Sequence, residues 1–178
     1  NPSLGTGSWS LQSGPGTVSS WGAGQNNAAT TVTVDTYGTY VFRWTETNGS
    51  CSDFDEVTVN FYEQPVADAG SGGNECDLDF ALAANPSAGT GTWTLQSGPG
   101  AVSSWGAGQN NAATTVTVNT YGTYVFRWTE TNGTCSDFDE ITVNFYEQPV
   151  ADAGSGGNKC DLDFALVANP SAGTGTWT

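Results

Sequence analysis

The chain has 178 residues, and its 18 acidic and 3 basic side chains give a formal charge of −15. Three basic residues cannot neutralise rows of phosphates, so the composition argues against nucleic acid and anionic membrane surfaces as partners. No apolar run approaches the roughly 20 residues that a membrane-spanning helix needs. Because the chain has no histidine, a serine or cysteine nucleophile lacks its usual base, and we predict no enzymatic activity.

The sequence repeats with a period of 84 residues, which is the spacing between Trp9, Trp93 and Trp177 (93 − 9 = 84). Residues 1–64 and 85–148 differ at seven positions. Residues 65–94 and 149–178 differ at two. A period of this length is too long for a solenoid unit and fits one small β-domain per repeat.

Pro65 and Pro149 each follow a long apolar segment and mark repeat starts, since proline is tolerated where strands begin. We predict a partial repeat at 1–64 without its first strands, a complete repeat at 65–148, and the first part of another at 149–178. Two interpretations stay open. The chain is a window of a longer array, or the head of one copy completes the tail of the next in a non-covalent filament.

Alternating apolar residues in the complete repeat predict short strands. In chain order these are a short strand at Val66, then 76–84, 91–97, 112–119, 122–131 and 139–145. Their inward faces carry Leu78, Phe80, Leu82 and Ala84; Trp93 and Leu95; Val116 and Val118; Tyr124, Phe126 and Trp128; and Ile141, Val143 and Phe145. About seven strands at this spacing predict an all-β, Greek-key β-sandwich.

Two turn signals support this arrangement. Asn132-Gly133 offers the positive φ that a tight hairpin needs between the last two strands. Tyr124, after "YGT", is placed as in a tyrosine corner, whose hydroxyl holds the preceding turn.

The segments "PVADAG", "GTGTWTLQSGPG" and "GTYVFRWTETNGTC" resemble the immunoglobulin-like, PKD-type tandem repeats of giant adhesins and secreted filament proteins of Bacteroidetes. The resemblance covers the whole chain. It implies a β-sandwich, export to the bacterial cell surface, and a role in adhesion, gliding or filament formation.

Export makes disulfides the first interpretation of the four cysteines. A Cys76–Cys135 bond inside the complete repeat is favoured, with Cys51 and Cys160 paired outside the printed sequence. The alternative joins the early cysteine of one repeat to the late cysteine of the next. Either bond would stabilise a small domain by about 2–4 kcal/mol.

Carboxylates are grouped at Asp68, Asp77, Asp79, Asp137 and Asp139. Calcium prefers six to eight oxygen ligands, so these residues are candidate ligands. The alternative is that they cap turns or keep the surface soluble. No other cofactor or metal is predicted.

Trp21 and Trp105 are predicted in loops, where an exposed indole can stack on a sugar; the alternative is that each covers one end of a small core. "NGS" (48–50) and "NGT" (132–134) match a glycosylation pattern, but the hairpin explains them better.

The leading functional hypothesis is a structural one, in which the repeats form the stalk or fibre of an extracellular adhesin or filament. The partners would then be neighbouring repeats of the same protein and other copies of the filament. The alternatives are a multivalent glycan- or surface-binding module that uses Trp21 and Trp105, and a rod stiffened by calcium.

Overall fold

The computed structural model describes residues 5–178, in which all regular structure is β-strand. Among these residues no helix is long and apolar enough to cross a membrane. The strands are β1 Thr6–Ser13, β2 Val18–Trp21, β3 Val32–Val34, β4 Gly38–Asn48, β5 Cys51–Phe61, β6 Gly73–Glu75, β7 Asp79–Ala83, β8 Thr90–Ser97, β9 Val102–Trp105, β10 Ala113–Val118, β11 Gly122–Asn132 and β12 Cys135–Phe145.

The chain divides into two compact units. One consists of Asn1–Gln64 with Asn132–Cys135, and the other of Pro65–Thr131 with Ser136–Thr178. One change of unit falls between Gln64 and Pro65, and the repeat boundaries at Pro65 and Pro149 remain predictions.

The complete repeat is an immunoglobulin-like β-sandwich. One sheet has the order β6-β12-β11-β8 and the other β7-β10-β9. All pairings are antiparallel except that of β6 with β12, which is parallel. The predicted all-β sandwich is confirmed.

The partial repeat, here residues 5–64, contains the counterparts of β8 to β12 only. Its sheets have the orders β1-β4-β5 and β2-β3. As a result β5 and β3 are edge strands in this unit, whereas their counterparts β12 and β10 lie between two neighbours.

The core of the complete repeat lies between the two sheets, and its aromatic residues are on the predicted faces. Trp93 and Trp128 are in contact, with ring centroids 5.3 Å apart. Tyr124 stacks on Phe126 and meets Phe145 edge-on. Buried with them are Ala69, Leu82, Val116, Val118, Ile141 and Val143, while Leu78, Phe80, Ala84 and Leu95 pack against this core half-buried. Alternation along the strands therefore predicted burial correctly.

The two turn predictions also hold. Gly133 has a φ of 60°, so glycine supplies the positive φ at the β11–β12 hairpin. The Tyr124 hydroxyl donates to the carbonyl of Thr120 at 2.9 Å, which confirms the tyrosine corner.

Replacing Tyr124 with Phe is expected to lower the free energy of unfolding by about 1 kcal/mol, because one buried hydrogen bond is lost while the ring stays in place. Urea unfolding followed by tryptophan fluorescence measures this. An unchanged midpoint would show that the corner contributes nothing to stability.

Two strand predictions are wrong. Val66 is exposed and lies outside any strand; the first strand of the sheet is β6 instead. Trp21 and Trp105 end the strands β2 and β9 and do not lie in loops. Trp21 pairs with β3, and Trp105 pairs with β10. The alternating pattern around each tryptophan is too short to reveal this pairing from the sequence.

Candidate functional site: the clamp between the terminal strands

The first and last segments of the complete repeat run side by side in parallel, and we call residues 67–75 with 137–145 the terminal clamp. In β6 and β12, Gly73 faces Val143 and Glu75 faces Phe145. The amide of Tyr146 also donates to the carbonyl of Glu75 at 2.8 Å. The chain enters and leaves the repeat on these two neighbouring segments.

Two aspartates extend the clamp toward the start of β12. The Asp137 carboxylate accepts a hydrogen bond from the Ala67 amide at 3.0 Å, and Asp139 accepts one from Ala69 at 3.0 Å. Both pairs are 70 residues apart in sequence, as are Asn74 and Asn144, whose side chains bond at 2.9 Å. In a regular pair of strands, the amides of Ala67 and Ala69 would donate to backbone carbonyls. Here they donate to the side-chain carboxylates of Asp137 and Asp139, so residues 67–69 do not form a regular strand.

The predicted calcium ligands have other hydrogen-bond partners in this structure, and calcium binding stays a prediction. Asp137 and Asp139 are bonded to amides of the clamp, and Asp77 caps a turn by accepting from the Asp79 amide at 3.0 Å. Within residues 5–178 no three acidic or cysteine side chains come together around a point where a metal ion could bind. Turn capping and strand pairing use these carboxylates instead.

Asp68 holds a loop closed. Its carboxylate accepts from the Gly70 amide at 2.8 Å and from the Asn85 side chain at 2.8 Å. These hydrogen bonds stabilise the charged form and lower the pKa of Asp68, with the Asn85 bond contributing most. The same arrangement recurs at Asp152 with Gly154 and Asn169.

A buried glutamate joins the loop between β7 and β8 to the core. Glu130, which is 1% exposed, accepts from the Ser87 hydroxyl at 2.5 Å and from the Ser87 amide at 3.0 Å. It also accepts from the Ala88 amide and from the indole of Trp128. Burial raises the pKa of Glu130, but the hydrogen bonds from Ser87, Trp128 and Ala88 outweigh it, so that pKa lies below its ordinary value.

Sequence reasoning missed Glu130. It continues the inward face of Tyr124, Phe126 and Trp128, and a charged residue on such a face signals a buried partner. The alternation that identified the aromatic residues therefore contained this signal as well.

Arg127 on the opposite face forms an ion pair with Glu140, at 2.6 Å. Its guanidinium also lies 3.9 Å from the ring centroid of Phe138. Both partners of the ion pair are about one-third exposed, so we expect the pair to contribute less than about 1 kcal/mol.

The structure does not contain the predicted Cys76–Cys135 disulfide. All four thiols, those of Cys51, Cys76, Cys135 and Cys160, are free. Cys76 follows Glu75, which faces Phe145 at the end of β12, whereas Cys135 begins β12. Ten residues of strand separate these ends by about 33 Å, far beyond the span of a disulfide.

We expect oxidation of the folded chain to give no Cys76–Cys135 bond within one molecule. Peptide mapping under non-reducing conditions tests this. Recovery of that linked peptide from a folded monomer would contradict the parallel register of β6 and β12.

The two candidate sugar-binding tryptophans pack against the core. Trp105 meets Phe126 edge-on at 6.1 Å, and Trp21 meets Phe42 at 6.0 Å. Both indoles are half-buried. These contacts favour the alternative that each indole covers one end of a core, and a glycan contact remains an untested prediction.

The counterpart of the clamp in the partial repeat is open. Asp53 and Asp55, which correspond to Asp137 and Asp139, accept from the amides of Phe54 and Glu56 on their own strand. Glu46, which corresponds to Glu130, accepts from the indole of Trp44 at 3.0 Å. The same carboxylates thus bond locally in one repeat and across the clamp in the other.

Comparison with known proteins gives no family assignment. No family model matches the chain, and no curated protein matches it. Among solved structures, domains 4 and 5 of the S-layer protein SbsC are 17% identical with a TM-score of 0.31, covering 79% of this chain and 70% of that one. Human protocadherin-24 EC1-2 is 9% identical with a TM-score of 0.34, covering 81% and 83%. Likenesses this weak carry no argument about function.

Proposed function

We propose that the chain is part of a stalk or fibre built from tandem sandwiches outside the cell, with neighbouring repeats as its partners. The observation that carries this proposal is the terminal clamp. The chain enters and leaves each complete repeat on parallel, adjacent segments. Tension between the two ends therefore pulls β6 and β12 in opposite directions along their length, and loads their hydrogen bonds together.

The aromatic packing that is the same in both repeats also supports a structural role. The packing of Trp9 on Trp44 in the partial repeat matches that of Trp93 on Trp128, at 5.3 Å and 51° in both. Tyr40 meets Phe61 as Tyr124 meets Phe145, at 5.5 Å and 88°. What is kept from one repeat to the next is the packed core, which suits a part whose value lies in length and mechanical strength.

A pulling experiment tests the mechanical role. The full chain, held between marker domains in a force spectrometer, should show one unfolding peak for the complete repeat. Its contour length should increase by about 300 Å, the length of 84 extended residues at ~3.6 Å each. Extension of this repeat without a measurable force peak would overturn the proposal.

A matched pair of variants tests whether the clamp sets that force. Asp139→Ala removes the acceptor for the Ala69 amide and should lower the peak force. Asp55→Ala, its counterpart in the open repeat, should leave the peak unchanged. Equal peaks for both variants would show that the resistance comes from elsewhere in the sandwich.

The extracellular location is tested separately with antibodies to the repeat. They should label intact source cells without permeabilisation, or fibres shed by them. Labelling only after permeabilisation would contradict a stalk at the surface.

A further inference from the structure

Residues 65–148, which the structure describes throughout, contain four edge strands, and three of them are short. The edges of one sheet are β6 and β8, and those of the other are β7 and β9. Strands β6, β7 and β9 have 3, 5 and 4 residues, whereas β8 has 8. A short edge offers few backbone groups to another chain, so β8 is the edge on which a second strand could best pair.

The sequence of β8 favours pairing with a second copy of itself. Its residues Thr90–Ser97 read TGTWTLQS, with no charged residue and no proline. Threonine and tryptophan suit extended strands, and an uncharged segment of this length on an edge is an aggregation hazard. The counterpart β1 reads TGSWSLQS, so both repeats carry the same kind of edge.

The loop between β9 and β10, residues 106–112, covers the middle of this edge, and we call it the guard loop. The backbone amide of Trp93, near the centre of β8, donates to the carbonyl of Gln109 at 2.7 Å. The Trp93 indole donates to the carbonyl of Ala112 at 3.2 Å. An amide that donates to the guard loop cannot donate to an added strand, so the loop occupies the place that a second chain would take.

Two side chains hold the guard loop in shape. The hydroxyl of Thr114, a residue that is 3% exposed, accepts a hydrogen bond from the Ala107 amide at 3.1 Å. The side-chain oxygen of Asn111 accepts one from the Ala113 amide at 3.1 Å. Both bonds tie the backbone of the loop to its own C-terminal end, and they thereby fix where Gln109 lies.

The partial repeat has the same guard loop at residues 22–28. The Trp9 amide donates to the carbonyl of Gln25 at 2.8 Å, and the Trp9 indole donates to the carbonyl of Ala28 at 3.3 Å. The contact between loop and edge is therefore the same in a repeat that has its first strands and in one that lacks them. It belongs to the repeat unit itself.

We propose that the guard loop, braced by Asn111 and Thr114, keeps β8 from pairing with β8 of a second copy. When the loop is lifted, two β8 strands pair antiparallel and join two four-stranded sheets into one. The partner is a second copy because an uncharged strand meets no charge repulsion along an identical edge. This inference rests on the fold of the repeat and holds whether or not the chain works as a stalk.

A full chain that combines Asn111→Ala with Thr114→Val tests the proposal, because it removes both braces and leaves β8 unchanged. Its Trp93 amide should exchange with deuterium more than about tenfold faster than in the wild type, since local opening governs exchange. Its mass by light scattering should exceed that of the wild type at equal concentration, in physiological salt that screens the charge of −15. Unchanged exchange, or faster exchange without added association, would refute the proposal.

The matched control combines Asn110→Ala with Thr115→Val, the same two substitutions one position away. Both side chains are exposed, so exchange at Trp93 and the mass should remain those of the wild type. Near-ultraviolet circular dichroism should show native tryptophan packing in both variants; if the double loop variant loses it, Asn111→Ala and Asn110→Ala alone take their places. Equal association of the variant and its control would show that the guard loop is not responsible.

A third substitution, Thr94→Lys, tests whether the association uses the β8 edge. Thr94 is exposed on β8, and a lysine on an edge strand opposes pairing with another strand. Added to the loop variant, it should return the mass to that of the wild type while the Trp93 amide still exchanges fast. Because lysine reduces the net negative charge, general repulsion between copies does not explain such a rescue. Multimers that persist in the triple variant would place the contact elsewhere and exclude the proposed pairing.

Discussion

Trp128→Ala is expected to unfold the complete repeat under conditions in which the wild type is stable. Trp128 is 1% exposed and packs on Trp93, and its indole donates to Glu130. Removing a buried tryptophan costs about 3–5 kcal/mol, a large part of the 5–15 kcal/mol by which a typical domain is stable. Urea unfolding followed by near-ultraviolet circular dichroism measures the loss.

Trp44→Ala is the matched control, because Trp44 occupies the same position in the partial repeat but is half-buried. In dilute solution, Trp44→Ala should lower the free energy of unfolding clearly less than Trp128→Ala does. If the two substitutions lower the free energy of unfolding by the same amount, the first twenty residues of a repeat do not close its core.

Glu130→Gln should destabilise the complete repeat by about 2 kcal/mol at neutral pH. The amide keeps the size of the side chain but replaces one charged acceptor with a donor that faces the Ser87 hydroxyl and amide. Thermal unfolding at a series of pH values measures the difference from the wild type.

The destabilisation by Glu130→Gln is expected to depend on pH. The folded-state pKa of Glu130 is lowered, so its contribution is fully present above the unfolded-state value of about 4.3. It is lost as the pH falls through the folded-state pKa. The difference in the free energy of unfolding between the wild type and Glu130→Gln should therefore become smaller in acid.

Glu46→Gln in the partial repeat should have a smaller effect at every pH, because Trp44 is the hydrogen-bond donor that the structure shows for Glu46. If the difference in stability between the wild type and Glu130→Gln stays constant as the pH is lowered, the charge of Glu130 does not stabilise the fold.

The core could be predicted from the sequence because alternation reports burial directly. Phe126 and Val143 had to face inward once their strands were recognised. The tyrosine corner at Tyr124 was predictable for a similar reason, since it depends on a few neighbouring residues. Local patterns of this kind need no knowledge of which strands pair.

The clamp could not be predicted because it depends on pairing between segments 70 residues apart. Nothing near Cys76 shows that it lies at the end of β12 opposite to Cys135, so the sequence could not reveal how far apart the structure places the two thiols. Asp137 and Asp139 were candidate calcium ligands because carboxylates are grouped in the sequence, which does not show that their partners are the amides of Ala67 and Ala69.

The segment that enters each repeat closes the core of that repeat. Hydrogen exchange tests it most directly, since β5 and β12 have nearly the same sequence in different surroundings. In a dilute solution of the full chain, amides of residues 139–146 should exchange much more slowly than those of 55–62. Equal exchange rates in these two peptides would contradict the account.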